Sequence, residues 1–339
     1  MSSSAVDEVS SRPRLAFGFV ASPAARSLIG TLAVAVAWLA VGFLTAFWPD
    51  KPESDWAYTG DFAVLCAAVA LALALAAIAG VRFAGVRRVW RGAPWLAALA
   101  LFIAVWEAIT AKLGWLPLPF FPPPQAILEV LIDDWKRLGQ GIVASFRLLA
   151  TGYLLGAAAG FVAGVAMGWS RLAGYWIHPV VRFIGPLPAT AWLPLAFFVF
   201  PSSFSASIFL IALATGFPVT VLTWSGVSGV NSAYYDIART LGASQRFLVA
   251  KVAIPAAMPH VFVGLFMGLG NSFAVLVVAE MLGVKAGLGW YLQWAQGWAA
   301  YANMYAALLI MACLCSGLIT LLFRLRDRLL AWQKGLVRW

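Results

Sequence analysis

The chain has 339 residues, of which 63% are hydrophobic and 11% charged. Soluble globular proteins carry about 25% charged residues, and the mean hydropathy of +0.89 excludes that class. The composition is that of an integral membrane protein. A net charge of +10 would suit a nucleic-acid partner, but its distribution along the chain speaks for topology instead. Cys66, Cys313 and Cys315 lie in apolar runs and form neither a disulfide framework nor a zinc-type spacing.

Eight charge-poor stretches, at about 28–48, 62–81, 93–113, 142–169, 177–200, 204–228, 257–283 and 302–323, are each long enough to cross a bilayer. The fold class is therefore all-α, a polytopic membrane protein with eight spans. The stretch from Phe183 to Tyr235 has no charge and must hold two spans, with the turn at Pro201-Ser202-Ser203. With the N-terminus in the cytoplasm, 17 of the 23 Lys and Arg fall on the inner side, and Asp50, Glu53, Asp55 and Asp61 cluster on the outer side. That is the positive-inside pattern, with both termini cytoplasmic. No nucleic-acid partner is needed to explain the charge; membrane lipid is the surrounding partner.

The expected organisation is a mobile cytoplasmic tail (1–26), two helices with a basic loop (27–92), six spans (93–325) and a basic tail (326–339). The first two spans carry no charge at depth and are expected to pack outside the other six. On the outer side, a Pro run from Pro117 to Pro124 precedes an amphipathic stretch, Gln125 to Leu138. Trp290, Trp294 and Trp298 recur every four residues, which suits a helix at the outer interface or one packed on its neighbours.

Span four carries Gly152, Gly156, Gly160, Gly164 and Gly168 at a strict interval of four, and Gly264 and Gly268 repeat the device on span seven. Such a groove lets another helix approach closely, within the chain or across a subunit interface. The longest cytoplasmic interruption is 231–256. Asn231 or Ser232 can cap a helix there, Asp236 lies toward its positive end, and Gly242 can end it in a left-handed turn. Ser244 can cap a second short helix, and Pro255 closes it. The result is a helix–Gly–helix hairpin, either an ordinary re-entry elbow or a device that docks into a soluble partner.

Asp236-Ile237-Ala238, three residues, Gly242, nine residues, then Val252-Ala253-Ile254-Pro255 resembles the "EAA" cytoplasmic loop of ABC importer permeases. That pattern reads Glu-Ala-Ala, three residues, Gly, nine residues, Ile-x-Leu-Pro. Trp106-Glu107, Phe121-Pro122-Pro123-Pro124, Leu241-Gly242-Ala243-Ser244, Ala279-Glu280-Met281-Leu282-Gly283 and Gly287-Leu288-Gly289 are similar to the nitrate/sulfonate/taurine/bicarbonate branch. The resemblance covers about 95–332, a six-span permease core; the first two spans have no counterpart in it. It implies a pair of permeases, as two copies or as a copy and a homologue, on which two cytoplasmic ATP-binding subunits sit. Asp236, Ala238, Arg239, Gly242, Ala243 and Pro255 then form the ATPase-coupling loop. An extracytoplasmic binding protein delivers the solute.

No Gly-rich loop ending in Gly-Lys-Ser/Thr occurs, so ATP and Mg belong to the partner ATPase and the chain carries no cofactor. His178 and His260 form no His-Glu-x-x-His, and no Gly-x-Ser-x-Gly occurs, which disfavours a membrane-embedded enzyme. Ionisable groups within spans are costly, and Pro-broken helices expose backbone donors to a ligand. Glu107, Arg147, Arg182, Trp192, Asn271, Ser272 and Glu280 are accordingly the candidate pathway residues. The expected solute is a small anion such as nitrate, bicarbonate or an organic sulfonate; a vitamin precursor or aromatic compound is the alternative.

Overall fold

The structure, a computed structural model, describes residues 23–51, 56–82 and 88–332. Most of the N-terminal tail, Glu53 and Asp55, part of the basic loop at 83–87 and the end of the C-terminal tail lie outside the described residues. The chain divides into two compact units at Trp115/Leu116. The division falls inside the 93–325 segment expected as one core.

The first unit holds α1 (Pro23–Phe47), α2 (Thr59–Arg82) and α3 (Arg88–Glu107), the last prolonged by a π-turn at Ala108–Lys112. α1 packs against both α2 and α3. The Trp38 indole N–H donates to the Leu96 carbonyl at 3.2 Å, so even the polar edge of this ring is satisfied by the neighbouring helix. Thus span three groups with the two N-terminal spans.

The second unit opens with α4 (Pro124–Asp133) and α5 (Trp135–Trp169). The amphipathic stretch expected over 125–138 is divided by Asp134, and α5 is 35 residues long, reaching well beyond the 142–169 span. α6 (Arg171–Ile184), a 3-10 turn (Ala189–Trp192) and α7 (Leu193–Val199) follow, then α8 (Ser203–Ser228). The fifth span, expected over 177–200, is broken. Its two halves, 171–184 and 189–199, are bent by 88°. Pro186 and Pro188 supply no N–H to a helix, and Pro188 is itself extended, at ψ 138°. Seven helices among the described residues are long and apolar enough to cross a bilayer, and the bent pair, taken as one broken span, is the eighth. At the expected turn, Ser202 and Ser205 form a capping box that starts α8, with the Ser205 N–H donating to Ser202 Oγ at 3.2 Å.

α9 (Ser232–Thr240), α10 (Gln245–Phe247), a π-turn (Leu248–Ala253) and α11 (Ile254–Leu282) come next, followed by α12 (Leu288–Gly297) and α13 (Tyr301–Leu329). α8 lies between α5 and α11. Gly156, Gly160 and Gly164 of α5 press on the α8 backbone, where a Cβ at Gly160 would stand 2.6 Å from the Gly216 carbonyl oxygen. Gly152 and Gly168 meet Ile211 and Val227 of α8. Gly264 and Gly268 of α11 face Pro218 and Val219, and Thr215, on the same helix. The glycine rows therefore serve packing inside this chain, where close van der Waals contact holds helices together in lipid. Of the three spaced tryptophans, Trp294 packs on a cluster of Leu138, Leu288, Tyr291 and Leu292. Trp290 and Trp298 are exposed.

Candidate functional site

Three arrangements carry polar or exposed groups that packing alone does not require. The first is the hairpin. Asn231 Oδ1 accepts from the Ala233 N–H at 2.9 Å and caps α9. Asp236 lies in the second turn, with no acid in the first, and pairs with Arg239 at 3.3 Å instead of meeting the helix N-terminus. Gly242 follows with φ +81°, the left-handed turn that glycine adopts without penalty, and Ala243 donates its N–H back to the Ala238 carbonyl at 3.0 Å. Ser244 caps α10 through the Phe247 N–H.

Pro255 does not close a second helix. It sits in the first turn of α11, and the helical path runs without interruption from Gln245 to Leu282. The π-turn explains this: the Ile254 N–H reaches back five residues to the Val249 carbonyl, and the wider turn accommodates the residue that cannot donate.

The hairpin has a fixed base and an apolar tip. Val227, Ala253 and Ala257 are buried, with Val165, Trp169 and Tyr235 packed on them. The Trp169 and Tyr235 rings meet edge-on at 5.7 Å. Burial raises the Tyr235 hydroxyl above its ordinary pKa against the opposing charge of Arg239. At the tip, Ile237 is 60%, Leu241 82% and Phe247 50% exposed. Outside the hydrocarbon layer, such apolar exposure on a rigid element marks a contact surface.

The second arrangement is the helix break. Gly185 to Thr190 line a cavity of 360 Å³ together with Phe217 and Asn271. Asn271 is exposed toward it, whereas Ser272 is buried and its hydroxyl donates to the Leu269 carbonyl at 2.9 Å. Trp192 packs on the core beside the break, and its Nε1 is buried without a partner. Arg182 lines a neighbouring cavity with His178. Arg147 lies elsewhere, over the Phe204 ring at 5.7 Å and beside Trp135, Lys136 and Gln140.

The third comprises two buried carboxylates, one in each unit. Glu280, 1% exposed, accepts from Ser145 Oγ at 2.9 Å and from the Gly289 N–H at 2.7 Å, both on Oε2. Ser145 in turn accepts from the Leu288 N–H at 2.8 Å. Gly287, at φ +109°, lies flat on the carboxyl group, and a Cβ there would collide with it. The Gly287-Leu288-Gly289 and Ala279-Glu280 segments are thus two halves of one hydrogen-bonded joint between α5, α11 and α12.

Glu107 accepts from Thr45 Oγ1 at 2.7 Å and faces Lys112 Nζ at 3.7 Å. Lys112 is held by the Thr45 carbonyl at 3.0 Å, the Trp48 carbonyl at 2.6 Å and Asp50 at 2.8 Å. Charge counting treats Lys112 as an ordinary outer-side cation, and the structure buries it. The π-turn, with the Leu113 N–H bonded to the Ala108 carbonyl at 2.8 Å, brings together two residues that a regular α-helix would splay apart. Within the second unit, Glu280, Asn271, Arg182 and Arg147 therefore do not form one site. Only Asn271, Trp192 and Arg182 stand at or next to the helix break.

The fold and these arrangements define a polytopic helical permease. The family model of the "binding-protein-dependent transport system inner membrane component" matches residues 152–334. The chain belongs to that family. It is similar to the nitrate import permease protein NrtB of Synechococcus elongatus, 30% identical over 256 residues, covering 72% of this chain and 89% of the relative. A probable ABC transporter permease protein of Brucella abortus is 34% identical over 242 residues, covering 70% of this chain and 95% of the relative. A putative aliphatic sulfonates transport permease protein of Bacillus subtilis is 29% identical over 239 residues, covering 70% and 86%. The chain is the membrane subunit of an ABC-type importer.

Proposed function

We propose that the chain forms the translocation path for a small anion, of the nitrate, bicarbonate or organic sulfonate type, in the bacterial cytoplasmic membrane. The anion is handed over by an extracytoplasmic binding protein, and two cytoplasmic ATP-binding subunits, holding ATP and Mg, drive the path of a permease pair between outward- and inward-open states. The observation that carries this reading is the hairpin, with a base buried at Leu248 and Ala253, half-buried Tyr235 packed on it, and an exposed apolar tip at Ile237 and Leu241. A rigid amphipathic element of this kind fits a groove on a soluble partner. Asp236, Ala238, Arg239, Gly242 and Ala243 form the hairpin, and Pro255 starts the helix that leaves it for the membrane.

The bent pair counts as a crossing, because only then do Arg239, Arg246 and Lys251 share a side with Arg171, at the start of the pair. The anion class rests on the names of the nitrate and sulfonate relatives. A neutral vitamin precursor or aromatic compound is the second reading, favoured by the lining at the break, where Asn271 and Thr190 are the polar side chains and no ionisable one contributes. Catalysis of ATP hydrolysis belongs to the partner. Reconstituting the chain in liposomes, alone and with its ATPase and binding protein, tests the reading. Nitrate uptake is expected only from the full assembly with ATP, and ATP-driven uptake by the chain alone would refute it.

A further inference from the structure

Next to the cavity at the helix break lies another, displaced toward the C-terminal end of α8. This second cavity, of 420 Å³, shares Gly185, Pro186 and Phe217 with the first. Its wall is apolar except at two positions, His178 and Arg182, which stand one helical turn apart on α6. The His178 ring is fixed edge-on against Trp224 at 5.0 Å. Arg182 lies only three residues before the break, so its guanidinium and the imidazole border the same inner chamber.

Among the described residues of the second unit, no carboxylate pairs with Arg182. From residue 135 to 235 the sequence contains no Asp or Glu, and α11 has only Glu280, which is committed to Ser145 and Gly289. The ion pairs of this unit among the described residues use Arg137, Arg239 and Arg326. Arg182 and His178 are both exposed in this chain, so the guanidinium is open to an anion that reaches it. Its planar fork matches an oxyanion in two parallel hydrogen bonds. The chamber at the break offers no ionisable side chain, so an anion leaving it inward meets its first cations here.

We propose that Arg182 and His178 form an oxyanion subsite in the inner half of the path, occupied by the transported anion after it passes the helix break. This rests on the reading of the chain as an anion permease and assigns the step at which the anion is received. An oxyanion can also come from a lipid phosphate, so the test separates the two sources.

The full assembly of permease, ATPase and binding protein is reconstituted in phosphatidylcholine vesicles, with and without phosphatidylglycerol, and nitrate is the probe. At saturating binding protein, Arg182→Gln is expected to import nitrate about tenfold more slowly or worse, the scale of a lost charged hydrogen bond. Arg182→Lys recovers part of the rate, His178→Gln loses less than Arg182→Gln, and the effects are equal in both vesicle types. Wild-type import by Arg182→Gln overturns the subsite. So does a loss confined to vesicles with phosphatidylglycerol, which assigns Arg182 to a lipid headgroup. Should Arg182→Gln fail to assemble with the ATPase, His178→Gln decides, and a wild-type rate there overturns the proposal. If the wild-type assembly imports neither nitrate, bicarbonate nor an alkanesulfonate, the anion reading itself fails, an outcome distinct from all of these.

Discussion

Lys112→Met removes the cation at the centre of the first unit. Its ammonium spends its three donors on the Thr45 and Trp48 carbonyls and on Asp50, with Glu107 at 3.7 Å. Without it, two carboxylates lose their partner, and the last carbonyls of α1 lose a cation placed at the negative end of the helix. Glu107 is fully buried, so the loss is that of one partner from a buried pair, about 3–5 kcal/mol. Thr45→Val removes one hydrogen bond to Glu107 and is expected to cost only about 1–3 kcal/mol. The double variant Lys112→Met/Glu107→Gln neutralises the stranded charge and should recover part of the loss, leaving Asp50, which is 15% exposed at its side chain, as the remaining cost. Thermal unfolding in detergent and in bilayers measures the series. A Lys112→Met protein as stable as wild type, with no recovery in the double variant, would refute the argument.

Deleting residues 1–91 strips Lys112 and Glu107 of Thr45, Trp48 and Asp50 in one step, so the truncated chain should accumulate poorly in the membrane. Lys112→Met/Glu107→Gln within the truncation should raise its yield, as read by membrane immunoblot. Gly242→Val places a β-branched residue at φ +81°, a conformation costing roughly 1–2 kcal/mol for a residue with a Cβ. Membrane insertion should survive while co-purification of the ATPase weakens. Gly160→Leu drives a side chain into the Gly216 carbonyl of α8, and overpacking of about 1–3 kcal/mol or more should lower the unfolding temperature without touching the hairpin.

The spans, their charge asymmetry and the hairpin were legible because bilayer length, Lys/Arg placement and a fixed Gly spacing are written in consecutive residues. The left-handed turn at Gly242 and the Asn231 cap follow from local chemistry alone. Pro186 and Pro188 pointed to a proline-broken helix, but the 88° of the bend was not legible: hydropathy integrates over the whole run and does not register an angle. Pro255 misled in the opposite direction, since the neighbouring π-turn absorbs a proline that would end an ordinary helix. Lys112 was missed because its partners Thr45, Trp48 and Asp50 lie more than sixty residues away in the sequence. Ser145 was missed for the same reason, being 135 residues from Glu280. The glycine rows left two uses open, and only the α8 backbone opposite them decides for packing inside the chain.

The central claim is that the tip of the 231–256 hairpin seats in the ATPase and transmits its cycle. The direct test is site-specific crosslinking in the assembled transporter, with Cys66, Cys313 and Cys315 replaced and single cysteines placed at Leu241 or Trp298, both exposed. Leu241→Cys should crosslink to the ATPase subunit with a yield that changes when ATP is bound, and Trp298→Cys, in the outer segment, should not crosslink at all. No crosslink from Leu241→Cys in an assembly that still imports nitrate with ATP would contradict the account.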